Sequence, residues 1–205
     1  PGVLIPRPET EVLVDVALAG VDAATQNADG EVCVLEVGVG TGCISLSIAT
    51  ERPQTRVYAT DLSPQAIALA TRNRDALDLQ ERVELIECDL VEGVPAELAW
   101  SFSVLVSNPP YIPTSVLEQE VPAEVKGFEP ELALDGGEDG LDVYRRLLEA
   151  APHMLLPGGM LCVELYEGHL DKAAHLAEEQ GVWESVEVKE DLTHRPRILV
   201  ARLAK

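Results

Sequence analysis

The stretch VCVLEVGVGTGCI, Val32 to Ile44, decides the fold. Val32 to Val37 form an apolar run interrupted only by Glu36, and a turn with glycines at 38, 40 and 42 follows at once. A run of this kind reads as a strand buried on both faces. Glycine lets the backbone turn sharply and approach a ligand closely, so the turn, with Val39 and Thr41 between its glycines, is a candidate small-molecule loop. Cys43 to Thr50 then read as a helix that ends before Pro53. The spacing is G-x-G-x-G, whereas a dinucleotide fingerprint would place its third glycine where Cys43 stands. Glu36 is the more telling residue. An uncompensated buried carboxylate is costly, so it should face a cation or a set of donors. A pyrophosphate would be repelled there, and a ligand with an ammonium and a sulfonium attracted.

Outward from this stretch the chain alternates strands and helices. A helix from Glu9 to Leu18 follows Pro8, and a polar linker, GVDAATQNADGE, leads to the first strand. The next strand, RVYAT, runs into Asp61, and Ser63-Pro64 reads as the N-cap and first residue of a helix to Leu77, with Ile67, Ala70 and Leu77 inward. Further strands are expected at Val83–Cys88, Phe102–Val106 and Met160–Leu165, and helices at Leu141–Leu148 and Leu170–Glu179. WESVEVKED and PRILVARLA alternate like strands with no helix between them, so they should pair antiparallel. This order predicts an α/β fold, Rossmann-like, with a mostly parallel sheet covered by helices on both faces and a C-terminal antiparallel hairpin. Ligands of such sheets bind beyond the carboxyl ends of the strands.

Three more polar motifs fall at such ends. Asp61 stands roughly 20 residues after the glycines, where a carboxylate can accept both ribose hydroxyls. In IECDL, Asp89 could accept from an adenine amino group and Leu90 line the ring's face. Three carboxylates at successive strand ends suit S-adenosylmethionine. The last motif is SVLVSNPPYIP, Ser103 to Pro113. A residue before proline is pushed into extended geometry, so Pro109 holds Asn108 and Pro110 holds Pro109. Neither proline has an N–H. The corner therefore offers two acceptors, the Asn108 side-chain oxygen and the Pro109 carbonyl, for the two hydrogens of a planar amino group. Pinning both aims the nitrogen at a reactive methyl and favours the charge that develops on it. The Tyr111 ring can wall or stack on the flat group that carries the amine.

The 205 residues, 46% of them hydrophobic, suffice for one well-packed domain with a small appendage. No run is long enough for a membrane helix and no leader peptide opens the chain. The four cysteines (Cys33, Cys43, Cys88, Cys162) and four histidines show no metal-ligand spacing, which fits reduced core thiols in a cytoplasmic protein without a metal. The formal charge of −21, from 36 acids against 15 bases, repels phosphate backbones and anionic membranes. The chain begins at Pro1 without an initiator methionine, as an excised or processed fragment would. A dehydrogenase-like nucleotide-binding domain and a non-catalytic cofactor-binding module are the other function classes this pattern allows.

With these residues in view, the chain resembles a class I S-adenosylmethionine-dependent methyltransferase of the amino-group branch that carries N-P-P-Y. LIPRPETEVLVD (Leu4–Asp15) and FEPELALDGGEDGLDVYRRLL (Phe128–Leu148) narrow this to the release factor glutamine-N5 methyltransferase family, over nearly the whole chain from Val3 to Leu203. The resemblance implies a seven-stranded sheet, transfer of a methyl to the glutamine of a release factor's Gly-Gly-Gln motif, and a release factor as partner. The alternative is a nucleic-acid amino methyltransferase acting on adenine N6 or guanine N2. The resemblance to the release factor family also implies cofactor contacts from Gly38 to Gly42, Asp61 and Leu90, and glutamine binding by Asn108, Pro109, Pro110 and Tyr111. Residues 1–30 would be a helix and linker packing on a catalytic domain of residues 31–205, and the family's helical N-terminal domain would be missing before Pro1. VELYEGHL departs from the family's Glu-Ile-Gly stretch, with Tyr166 in the Gly place and His169 near its Gln, and DLTHRPRIL carries Thr193-His194 where a small residue and Gly are usual.

Overall fold

Side chains alternate across a strand, so an all-apolar strand needs a helix layer on each face. The computed structural model of the protein, which describes residues 2–26, 30–119 and 130–205, has that arrangement. In chain order the elements are α1 (Thr10–Thr25), β1 (Val32–Val37), α2 (Cys43–Glu51), β2 (Thr55–Asp61), α3 (Pro64–Ala76), β3 (Val83–Glu87), β4 (Phe102–Ser107), α4 (Thr114–Gln119), α5 (Asp142–Met154), β5 (Leu155–Glu164), α6 (Leu170–Gln180), β6 (Trp183–Glu190) and β7 (Pro196–Leu203). The seven strands form one sheet in the order β3-β2-β1-β4-β5-β7-β6. The first five are parallel, and β7 pairs antiparallel with both β5 and β6, as the class I methyltransferase pattern requires.

The core lies in two layers. On one face Val32 and Val34 of β1, Val104 and Val106 of β4, and Met160 and Cys162 of β5 pack with Leu13, Ala17 and Val21 of α1 and with Ile44 and Ile48 of α2. On the other, Leu35, Leu105, Leu161 and Val163 meet Tyr144 and Leu147 of α5 and Ala173 and Ala177 of α6. Strand order reverses between β1 and β4, which opens a crevice at their carboxyl ends.

Several boundaries differ from the sequence reading. Helix α1 continues to Thr25 rather than ending at Leu18, so half of the expected polar linker is helical. Val21 is fully buried, and a side chain at Gly20 would collide with Met160 Cε and come within 3.0 Å of Val104, so the glycine permits close approach to the sheet. Residues 27–29 of that linker, like Phe128 and Glu129 of the family-like stretch, lie outside the described residues. Helix α5 runs on to Met154, and β5 begins at Leu155. In α3 the Ser63 hydroxyl accepts from the Ala66 N–H as expected of an N-cap, but Leu77 is 53% exposed, and Ala66 and Ala70 fill the inner face. Leu77 is the C-cap, where the helix ends and its periodicity no longer aims a side chain inward. Among the described residues no helix is long and apolar enough to cross a membrane.

Leu105, fully buried in the central strand β4, tests this core. Leu105→Ala should lower unfolding stability by about 2–5 kcal/mol, seen as a lower denaturant midpoint at unchanged slope.

Candidate active site

The turn after β1 is built on positive backbone angles: φ is +84° at Gly38, +53° at Gly40 and +84° at Gly42. Side chains rarely adopt this region. Gly38 and Val39 donate their N–H groups to the Thr60 carbonyl at 2.8 and 2.9 Å, which straps the turn to β2. A Cβ at Gly38 would meet no protein atom within 4 Å, so this glycine borders open space. Gly42 caps α2 in left-handed geometry against Leu46 and Ala70.

Asp61 organises the loop. Its Oδ2 accepts from the Gly40 N–H at 2.9 Å and its Oδ1 from the Ser63 N–H at 2.8 Å. A carboxylate has about four lone-pair sites, so two remain for a ligand. Asp89 is paired with Arg146 of α5 at 2.8 Å. Leu90 has φ of +46°, a left-handed conformation that costs a non-glycine residue roughly 1–2 kcal/mol. Strain of this kind concentrates at functional positions.

At the end of β4, Ser107 Oγ donates to the Val37 carbonyl at 2.7 Å and holds the Asn-Pro-Pro-Tyr corner beside the glycine loop. The Asn108 side-chain amide donates to Thr10 Oγ1 at 3.3 Å. Behind the corner, the Ile112 N–H donates to Leu134 O at 3.0 Å and the Gly136 N–H to Ile112 O at 2.8 Å. A Cβ at Gly136 would lie 2.8 Å from Tyr111 Cα, and one at Gly140 2.5 Å from the Tyr111 carbonyl. The DGGEDG turn (residues 135–140) therefore presses directly on the corner's backbone.

These elements enclose a cavity of about 500 Å³. Of the expected site residues, Gly38, Gly40, Asp61, Asp89, Leu90, Asn108, Pro109 and Pro110 line it together. Glu36, Val39, Thr41, Gly42 and Tyr111 are not in its wall. Glu36 is buried in β1, Val39 of the loop packs on Ala59 and Ala70, and Tyr111 is packed, partly buried, against the core on the α5/α6 face. The sequence reading missed Gly2, Val3, Leu4, Leu132, Asp135 and Arg146, which also line the cavity. It likewise missed Thr10 and Glu164. Glu164 is an acid near the end of an otherwise apolar strand, the same signal that singled out Glu36, and it is 1% exposed.

Residues 14–125 match the methyltransferase small domain family. The chain is 38% identical over 203 residues to the release factor glutamine methyltransferase of Clostridium acetobutylicum, covering 98% of this chain and 67% of that protein. It is 40% identical over 201 residues to the release factor glutamine methyltransferase of Moorella thermoacetica, covering 98% and 68%. The chain thus spans about two thirds of the length of these relatives. Among solved structures, a methyltransferase from Pyrococcus furiosus superposes with a TM-score of 0.70 at 19% identity over 100% of this chain and 87% of its own, a likeness of fold.

Glu36 dominates the electrostatics below the loop. One of its carboxyl oxygens accepts from both the N–H and the hydroxyl of Ser45, in the first turn of α2, while Oε1 is buried without a partner. Burial pushes this carboxyl up to about 8, against the Ser45 hydrogen bonds, and the nearby Asp61 charge adds to the rise. The folded protein then keeps a proton that the unfolded chain releases above the ordinary carboxylate range. Stability from this group is full at low pH and is lost as pH rises through about 8. Wild type should lose stability relative to Glu36→Gln by up to roughly 1.4 kcal/mol per pH unit between those limits, measured by denaturant unfolding at a series of pH values.

Proposed function

Because the chain belongs to the release factor glutamine methyltransferase family, we propose that it transfers a methyl group from S-adenosylmethionine to the side-chain amide nitrogen (N5) of the glutamine in the Gly-Gly-Gln motif of a peptide chain release factor. The supporting observation is that the acceptor corner of Asn108 and Pro109 and the acid-ringed glycine loop face one cavity. The donor set fits such a cofactor. Asp61 keeps lone pairs for a ribose, the Gly38 side of the loop is open, and Glu36 holds an unpartnered buried oxygen below it.

Gly38, Gly40, Asp61, Asp89, Leu90 and Asn108 would hold the cofactor from the cavity wall, with Val39, Thr41, Gly42 and Glu36 shaping the loop from behind. When bound, it supplies an electrophilic methyl on a sulfonium. Asn108 Oδ1 and the Pro109 carbonyl accept the two hydrogens of the glutamine amide, which fixes the nitrogen's direction and lowers the energy of the positive charge it gains. The proton leaves after the bond forms, so no general base is needed beforehand. Pro109 and Pro110 remove competing donors and stiffen the acceptors. Tyr111, packed against the core behind the corner, would wall the amide only by turning its ring toward the cavity. Helix α1 packs on the sheet and brings Thr10 to the corner. The reaction belongs in the cytoplasm, where release factors act.

Incubation with labelled donor should place a single methyl on the Gly-Gly-Gln glutamine of a release factor, read by peptide mass spectrometry. Label in nucleic acid and none in the release factor would overturn the reading. Asn108→Ala should lower kcat by roughly 10²–10³, as loss of a transition-state contact does, with donor affinity within a few-fold. Asp61→Ala should weaken donor binding about tenfold or more, since hydrogen bonds to a charged group contribute about 1.5–3 kcal/mol.

A further inference from the structure

An asparagine amide has nearly the same shape with its oxygen and nitrogen exchanged, so a site that depends on its oxygen must fix which way it points. Asn108 lines the cavity, and its amino group donates to Thr10 Oγ1, 98 residues away in sequence. What fixes Thr10 as the acceptor is the next group along. Register pairs Ser107 of β4 with Val163 of β5, and one further step sets Asn108 level with Glu164. Glu164 is 1% exposed and Thr10 5%. Burial pushes the Glu164 carboxyl above its ordinary range, and of the groups that hold it down the Thr10 hydroxyl comes first, with the Asn108 amide also taking part. The second carboxyl oxygen, Oε2, is buried without a partner. On the β7 side, Arg197, itself 3.5 Å from Asp191, adds favourable charge to Glu164.

We propose that Glu164 is a positioning residue that acts through Thr10 to set the amide of Asn108 with its oxygen toward the substrate. In its ionised form the Glu164 carboxyl can only accept hydrogen bonds. It commits the Thr10 hydrogen to itself, which leaves the Thr10 oxygen as an acceptor. That oxygen takes the Asn108 N–H, and Oδ1 is left facing the cavity. Without the carboxylate, the Thr10 hydroxyl can turn its hydrogen to Asn108 Oδ1, and the amide can present its NH2 group to the cavity instead. An NH2 group there would oppose, rather than accept, the hydrogens of an incoming amide. The burial of a carboxyl beside an unpaired oxygen is otherwise a cost with no visible return. This inference rests on the proposed reaction for its kinetic consequence, but the hydrogen-bond chain itself is independent of it.

The experiment has two arms. In the first, selective 15N labelling of asparagine observes only Asn27, Asn73 and Asn108, with Asn108 assigned by its loss in Asn108→Asp. Side-chain amide exchange at Asn108 should be slow in the wild type. It should become about tenfold faster in Glu164→Gln and in Thr10→Val, the loss of roughly one hydrogen bond, and stay near wild type in Thr10→Ser. In the second, methyl transfer to a Gly-Gly-Gln peptide should fall in kcat by about tenfold in Glu164→Gln and Thr10→Val, with donor KM within two-fold. The double variant should be no worse than either single one, since both act along one chain. Unchanged Asn108 exchange in both single variants, or losses that add in the double variant, would overturn the proposal. Slow exchange with the expected mutant pattern but no methylation by the wild type would instead sink the proposed reaction and leave the relay standing.

Discussion

Two buried carboxyl groups, Glu36 and Glu164, flank the central strand β4, and the arrangement of the site follows from what each must hydrogen-bond to. Both point to the sheet face covered by α1 and α2, because they continue the alternation of Val32 and Val34 in β1 and of Met160 and Cys162 in β5. A carboxyl group cannot be left bare at such a position without a cost of several kcal/mol. Glu36 finds the first turn of α2, which brings favourable donors and the positive end of a helix dipole. Glu164 lies level with Asn108, whose amide donates to Thr10 at the start of α1. Each acid thus draws a helix N-terminus over the carboxyl end of the sheet, and the glycine loop and the Asn-Pro-Pro-Tyr corner are held between them.

The site also stores backbone strain that nearby contacts hold in place. Leu90 sits in left-handed geometry beside the cavity, whereas the three positive φ angles of the glycine loop fall on residues that adopt them without strain. The corner itself is not free to relax, since Gly136 and Gly140 come so close to Tyr111 that no side chain fits. Rigid acceptors are an advantage where a planar amide must be aimed, because orientation settled before binding does not have to be bought from binding energy. The half-exposed pair of Asp89 with Arg146 is of a different kind. Exposed pairs contribute little stability, so it can open for a ligand at small cost.

Much of this was readable without coordinates. The buried strand from Val32, the Ser63-Pro64 start of α3 and the antiparallel end of the sheet rest on local periodicity and turn chemistry, and each is found where those signals place it. The extent of α1 is not readable, because its second half looks polar and is held by distant partners, Gly20 against Val104 and Met160 and Asp22 on Arg52. The helical period points Leu77 inward, but the helix ends one residue before it.

The sequence by itself therefore determined which residues could do chemistry: a glycine turn, acids at strand ends and a proline-stiffened asparagine announce themselves through backbone rules that act over a few neighbours. Only the tertiary structure decided how they are oriented. It set the Asn108 amino group on Thr10, Asp89 on Arg146 and Asp61 Oδ2 on the Gly40 N–H of the glycine loop. Direction is settled by partners far apart in the chain, and a one-dimensional pattern holds no distance between them.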